Sequence, residues 1–221
     1  MTEQVLPFYL VCDESGSMAA LIDMMNNDLL PELHEAIGTN PVVADKTRFS
    51  IIGFADDARE LLPLSDLSEV DDIEALMARG MTSYTAAFDL LRDLIDRDVA
   101  ALKAAGHVVF RPAAFFLSDG QPSEHDWQAA HDRVVDASWK YRPNIIAFGL
   151  GDADADTISK VATFKAFIAD GAVSPAKALT EFASALTKSI VKSGTTATPN
   201  LVKLQMPEEI DGFTELAVDA L

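Results

Sequence analysis

Asp13, Ser15 and Ser17 stand at alternate positions directly after an apolar run, Leu6 to Cys12. A second run, Ala113 to Leu117, ends in Ser118-Asp119-Gly120. In extended backbone alternate residues face the same side, so Asp13, Ser15 and Ser17 can converge, and Gly16 lets the chain turn tightly between them. In open α/β sheets ligands sit beyond the carboxyl ends of the strands. Two carboxylates and two hydroxyls thus arrive at one rim. Oxygen donors with few carboxylates suit Mg²⁺, which takes six hard ligands in an octahedron and keeps several waters. Mn²⁺ accepts the same donors, whereas zinc is a poor fit because neither motif holds Cys or His. The positive end of a helix starting near Met18 works against a cation there, and Asp13 with Asp119 would offset it.

The elements that must position these residues are legible from pattern. Four apolar runs, Leu6–Cys12, Phe49–Ala55, Ala113–Leu117 and Ile145–Leu150, have strand length without clean alternation, which predicts strands buried on both faces. Helix-like spacing marks 18–37, 83–104, 124–141, 155–163 and 175–192, with Pro31 expected to kink or break the first. The alternation predicts a doubly wound, mostly parallel α/β sheet of about six strands with helices on both faces. Residues 58–64 follow the second strand so closely that a hairpin, hence one antiparallel edge strand, is expected. Residues 164–169 suit a last strand. The expected domain spans 1–194. Residues 195–221 begin with a linker composition and continue as an acidic tail, partly packed or flexible, in which Leu201, Leu204, Ile210, Phe213 and Leu216 favour some packing.

Composition narrows the function. The 221 residues carry 35 acids against 17 bases, a net charge of −18, which repels phosphate backbones and anionic lipid. Nucleic-acid and membrane binding are therefore poor expectations, and cations or basic partners better ones. The single cysteine, Cys12, excludes an internal disulfide. The start of the chain lacks a basic leader and no run approaches bilayer-spanning length, so a cytoplasmic location is expected.

Asp13-x-Ser15-x-Ser17 after a buried strand resembles the metal-ion-dependent adhesion site of von Willebrand factor A (vWA) domains. Gly80-Met81-Thr82 before a helix resembles that family's threonine element, and Leu117-Ser118-Asp119-Gly120 its aspartate element. The resemblance covers roughly residues 5 to 192. It implies that Asp13, Ser15, Ser17, Thr82 and Asp119 hold Mg²⁺, or Mn²⁺. The two serines would bind the ion directly, Thr82 and Asp119 directly or through water, and Asp13 through water. It also implies a protein partner that supplies an Asp or Glu to the ion. Met81 departs from the family's second glycine, Thr85 competes with Thr82, and Glu14 either faces away or adds a third carboxylate. Residues 6–10, the chain length and Arg111-Pro112 look most like bacterial TerY-like proteins, linked with tellurite and stress resistance and with kinase or phosphatase partners.

Simpler readings exist for each element. Asp13, Ser15, Ser17 and Thr82 also suit helix caps, and Asp119 suits a turn. His34 and His107 read as structural or solvated. His125 and His131 are six apart, which does not put them on one helical face, although His125 could line the rim. Gly149-Leu150-Gly151 lacks the third glycine of a dinucleotide fingerprint. A metal-assisted hydrolase or phosphatase is the alternative function. It needs a charge stabiliser besides the ion, and Arg79 is the only basic candidate near the motifs. The expectation is a binding module rather than an enzyme.

Overall fold

The computed structural model describes residues 4–171, 173–196 and 204–218. Eight strands are found among them: β1 (Gln4–Asp13), β2 (Thr47–Phe54), β3 (Ala58–Ser65), β4 (Val108–Val109), β5 (Ala113–Ser118), β6 (Asn144–Gly149), β7 (Lys165–Ala169) and β8 (Phe213–Leu216). The α-helices are α1 (Ala19–Met24), α2 (Leu30–Gly38), α3 (Pro41–Lys46), α4 (Tyr84–Ala104), α5 (Gln128–Val135), α6 (Ala155–Val161) and α7 (Pro175–Thr196). The strand order is β3-β2-β1-β5-β6-β7-β8, with β4 pairing β1 on the side. β1, β2, β5, β6 and β7 run parallel, and β3 and β8 are antiparallel edges. The winding reverses between β1 and β5, which makes their carboxyl ends the topological switch point.

Both faces of the sheet are covered, as the unbroken apolar runs predict. Phe8, Leu10 and Cys12 of β1 point into a core closed by α1, α2, α3 and α7. Tyr9 and Val11 point into a second core closed by α4, α5 and α6. α4 begins where expected, and Ser83 caps it by accepting the Ala86 N–H.

The structure corrects several expectations. The sheet has eight strands rather than six, and two antiparallel edges rather than one. β4 is two residues long and carries no periodic signal, while β8 lies beyond a linker-like composition that hides it. The expected helix over 124–141 is only α5: Asp136 leaves helical backbone and its carboxylate takes the Ser138 N–H, an Asx turn that ends the helix. The segment expected as one helix over 18–37 is not regular: a π-helical turn, Met25–Leu29, lies directly before Pro31, and helical backbone continues through it into α2.

Of the residues after 194, Ile210 and Phe213 are buried, and Phe213 meets Phe148 edge-on at 5.5 Å. Gln205 is tied to α7 twice: its carbonyl accepts the Ser189 hydroxyl and its N–H donates to Ser193 Oγ. Phe213→Ala should therefore cost about 3 kcal/mol, the low end for a buried phenylalanine because the site is at the sheet edge. Urea unfolding of the full chain measures this, and a loss below about 1 kcal/mol would show that β8 adds little to the fold.

Candidate metal centre

Asp13 is the last residue of β1 and Ser118 the last of β5, and the two strands pair in parallel up to Cys12 and Leu117. That register sets their side chains against each other: Ser118 donates its hydroxyl to Asp13 Oδ2 at 2.5 Å. The other oxygen, Oδ1, takes the Ser15 N–H at 2.8 Å. The chain then turns through a 3₁₀ segment, Gly16–Met18. This brings the Ser15 and Ser17 hydroxyls to 3.0 Å, and Ser17 donates to Asp119 Oδ1 at 2.8 Å. Asp13, Ser15, Ser17 and Asp119 thus form one hydrogen-bonded chain across the switch point.

Thr82 reaches the same rim on a loop from the far side. A Cβ placed on Gly120 would lie 3.7 Å from Thr82 Oγ1 and 3.8 Å from Ser17 Oγ, so both hydroxyls face the small space beside Gly120. Thr82 is held through its backbone: its N–H donates to Ser123 Oγ and its carbonyl accepts the Ser123 N–H. Thr85 is the second residue of α4, where its N–H donates to Glu124 Oε1.

The loop before Thr82 is fixed from several directions. Gly80 has φ +54°, and a side chain there would overlap the Asp56 carboxylate, which instead accepts the Met81 N–H. The Gly80 carbonyl accepts the Gly16 N–H at 3.2 Å, joining the threonine loop to the serine turn. Asn26 brackets Leu76, donating to its carbonyl and accepting its N–H, both at 2.9 Å. The main anchor is Glu14. It faces away from the rim, fully buried, and takes Arg59 in a two-pronged contact at 2.7 and 3.2 Å, Arg79 at 3.0 Å and the Met77 N–H at 2.8 Å. Arg79 continues to Asp57.

Burial pushes the Asp13 carboxyl above its usual range, and the hydrogen bonds from Ser118 and Ser15 only partly offset this. Burial also raises Asp119, with Ser17 opposing and Asp152 reinforcing. Of the histidines, His131 is a core residue whose Nε2 lies 3.0 Å from the Val161 carbonyl oxygen and whose ring packs on Phe88 and Trp127. His125 is exposed.

Among the described residues no group of three or more His, Cys, Asp or Glu side chains is placed to hold a metal. The oxygens gathered here are instead two carboxylates and three hydroxyls, a donor set that could take a hard cation. Sequence reasoning did not find Ser123, Glu124, Asp56, Arg59 or Asn26 as supports. Each acts across a long sequence separation and carries no local motif.

An open, mostly parallel sheet with an oxygen cluster at its switch point defines a class of ligand-binding α/β domain. The family profile of the von Willebrand factor type A domain matches residues 8–188, and the chain belongs to that family. Such domains are general protein-interaction and adhesion modules. No curated protein matches the chain. Among solved structures, proximal thread matrix protein 1 of the mussel byssus is similar at 12% identity and TM-score 0.51, over 73% of this chain and 42% of that one. Manganese-loaded TRAP protein of Plasmodium vivax is similar at 17% identity and TM-score 0.45, over 71% of this chain and 61% of that one. The ArnB paralog VWA2 of Sulfolobus acidocaldarius is similar at 16% identity and TM-score 0.45, over 86% and 46%. The chain therefore spans about half the length of these structures. Among the described residues no helix is long and apolar enough to cross a membrane.

Glu14→Gln removes the charge that both arginines share. Breaking a buried ion pair costs 3–5 kcal/mol, and because both guanidinia keep partial solvent contact the expected loss is about 3 kcal/mol. The amides of Met77 and Arg79 should lose hydrogen-exchange protection before those of β1. Equal protection at 77–79 in the folded variant would show that Glu14 does not hold this loop.

Proposed function

We propose that the chain is a divalent-cation-dependent protein-binding module, with Asp13, Ser15, Ser17, Thr82 and Asp119 around Mg²⁺, or Mn²⁺, and a partner's Asp or Glu as the recognised group. The observation that carries this reading is the spacing of the oxygens. Neighbouring ligands of an octahedron with 2.0–2.1 Å bonds lie about 2.9 Å apart. Ser15 Oγ and Ser17 Oγ are 3.0 Å apart, and Ser17 Oγ and Asp119 Oδ1 are 2.8 Å apart. A cation there would supply positive charge to two carboxylates that burial otherwise drives toward protonation, and would attract an incoming carboxylate. Asp13 orients the serine turn through the Ser15 N–H, which suits a supporting role behind the hydroxyls. Because the net charge is −18, a partner with basic patches around its acidic residue would dock most readily.

The hydrolase alternative is less well supported. Arg79 is engaged by Glu14 and Asp57, so its charge already serves the threonine loop. From the resemblance of residues 6–10 and Arg111-Pro112 alone, we further propose a bacterial stress- or tellurite-resistance setting, in the cytoplasm, with kinase or phosphatase components among the partners.

An ion that binds only the folded state at a hundredfold excess over its Kd adds about 2.7 kcal/mol, or about 5–10 °C in Tm for a chain this size. Mg²⁺ and Mn²⁺ should produce that shift in the wild type, with Ca²⁺ producing less. Asp119→Ala should remain folded, lose most of the shift, and lose Mg²⁺-dependent capture of partner proteins. A full Tm shift and undiminished Mg²⁺-dependent capture in the folded variant would overturn the assignment.

A further inference from the structure

The opposite end of the sheet, where the parallel strands begin, has a different electrostatic character from the acidic rim. Arg111 precedes β5, Asn144 opens β6 and Lys165 opens β7. Two cavities of about 260 and 520 Å³ adjoin there, and Arg111 lines both. The first is walled by Lys103, Lys140 and Tyr141 over Val109 and Phe110. The second is walled by Lys165, Phe164, Leu204 and Met206. Among the described residues no acidic side chain lines either cavity, in a chain with twice as many acids as bases.

Arg111, Lys103 and Lys140 make no ion pair among the described residues, whereas Lys165 does. Lys103 and Lys140 place their ammonium groups 4.4 and 4.6 Å from the centre of the Tyr141 ring, and neither has a carboxylate within ion-pair distance among the described residues. Arg111 makes no hydrogen bond or ion pair among the described residues. Burial, then its neighbour Arg142, holds its guanidinium below the usual value. Only Lys165 is paired, to Glu215 at 2.9 Å. Phe164 is 39% exposed, an apolar ring at the edge of a basic groove.

We propose that this groove docks a short acidic segment of a partner protein that also carries an apolar side chain. The unpaired cations supply charge complementarity, and Phe164, Leu204 and Met206 supply an apolar seat. Nucleic acid fits less well. The rest of the surface repels a polyphosphate chain, and the Tyr141 ring is already covered by lysines rather than free to stack bases. The site is separate from the metal rim, so its contact needs no cation.

The test is fluorescence anisotropy of a dye-labelled synthetic peptide of glutamates interspersed with leucine and phenylalanine, added to the full chain in EDTA. Binding should occur without divalent ions. Arg111→Glu and, separately, the double change Lys103→Glu/Lys140→Glu should each weaken it about tenfold or more, with melting temperatures held. Two exposed positions in the second variant keep the test valid if the first fails to fold. The proposal is overturned by no binding, by binding that requires Mg²⁺, or by binding that ignores both variants. Tighter binding of an oligonucleotide of equal charge would overturn it in favour of nucleic acid. Self-association abolished by the same changes would reassign the groove to a second copy of the chain.

Discussion

Asp13 and Glu14 are consecutive carboxylates, and neither has any solvent exposure. An ionised carboxylate out of water must be met by donors or cations, or it protonates. The alternation of extended backbone sends the two to opposite sides, and each recruits its own set of partners. Asp13 collects the serine turn and Ser118, which closes the rim between β1 and β5. Glu14 collects Arg59 from β3 and Arg79 and Met77 from the threonine loop. One dipeptide at the end of one strand therefore organises both halves of the site. Gly53 on β2 belongs to the same constraint, since a side chain there would overlap the Glu14 carboxylate.

The arrangement separates the work of holding from the work of binding. Arg79 lies three residues before Thr82 and shares Glu14 with Arg59, yet the charge of both is consumed by Glu14, Glu74 and Asp57. The rim keeps only hydroxyls and two carboxylates, without a competing internal cation among the described residues. A site that retained a free guanidinium would pair its carboxylates internally and have less to offer an external ion.

The buried strands and their order of chemistry were readable because each was a compact apolar run followed at once by its polar residues. β1 with Asp13, Ser15 and Ser17, and β5 with Ser118 and Asp119, show this directly. Thr82 was readable only by resemblance, since no local pattern says where a loop closes. What the sequence could not show is long-range satisfaction of polar groups. Whether Glu14 turned toward or away from the rim depended on arginines 45 and 65 residues away. β4 was missed, and β8 was foreseen only as packing of the tail, for a different reason: both are short additions to a sheet already formed, and their pairing rather than their pattern makes them strands.

The π turn at Met25–Leu29 has a consequence for phase. Met25, Leu29, Leu33 and Ile37 recur every four residues and are all buried. An ideal helix advances about 100° per residue, so each step of four overshoots a full turn by about 40°. Three such steps would carry Ile37 well around the helix from Met25, off the sheet. A widened turn takes up part of that rotation and keeps the stripe aimed at the core. The same turn contains Asn26, whose amide grips Leu76 in the threonine loop. Removing one residue from this turn would close it into plain α-helix: eleven steps of about 100° end within about 20° of whole turns, so α2 would keep its face to the sheet, and the cost would fall on the Asn26 clasp that holds the loop carrying Thr82.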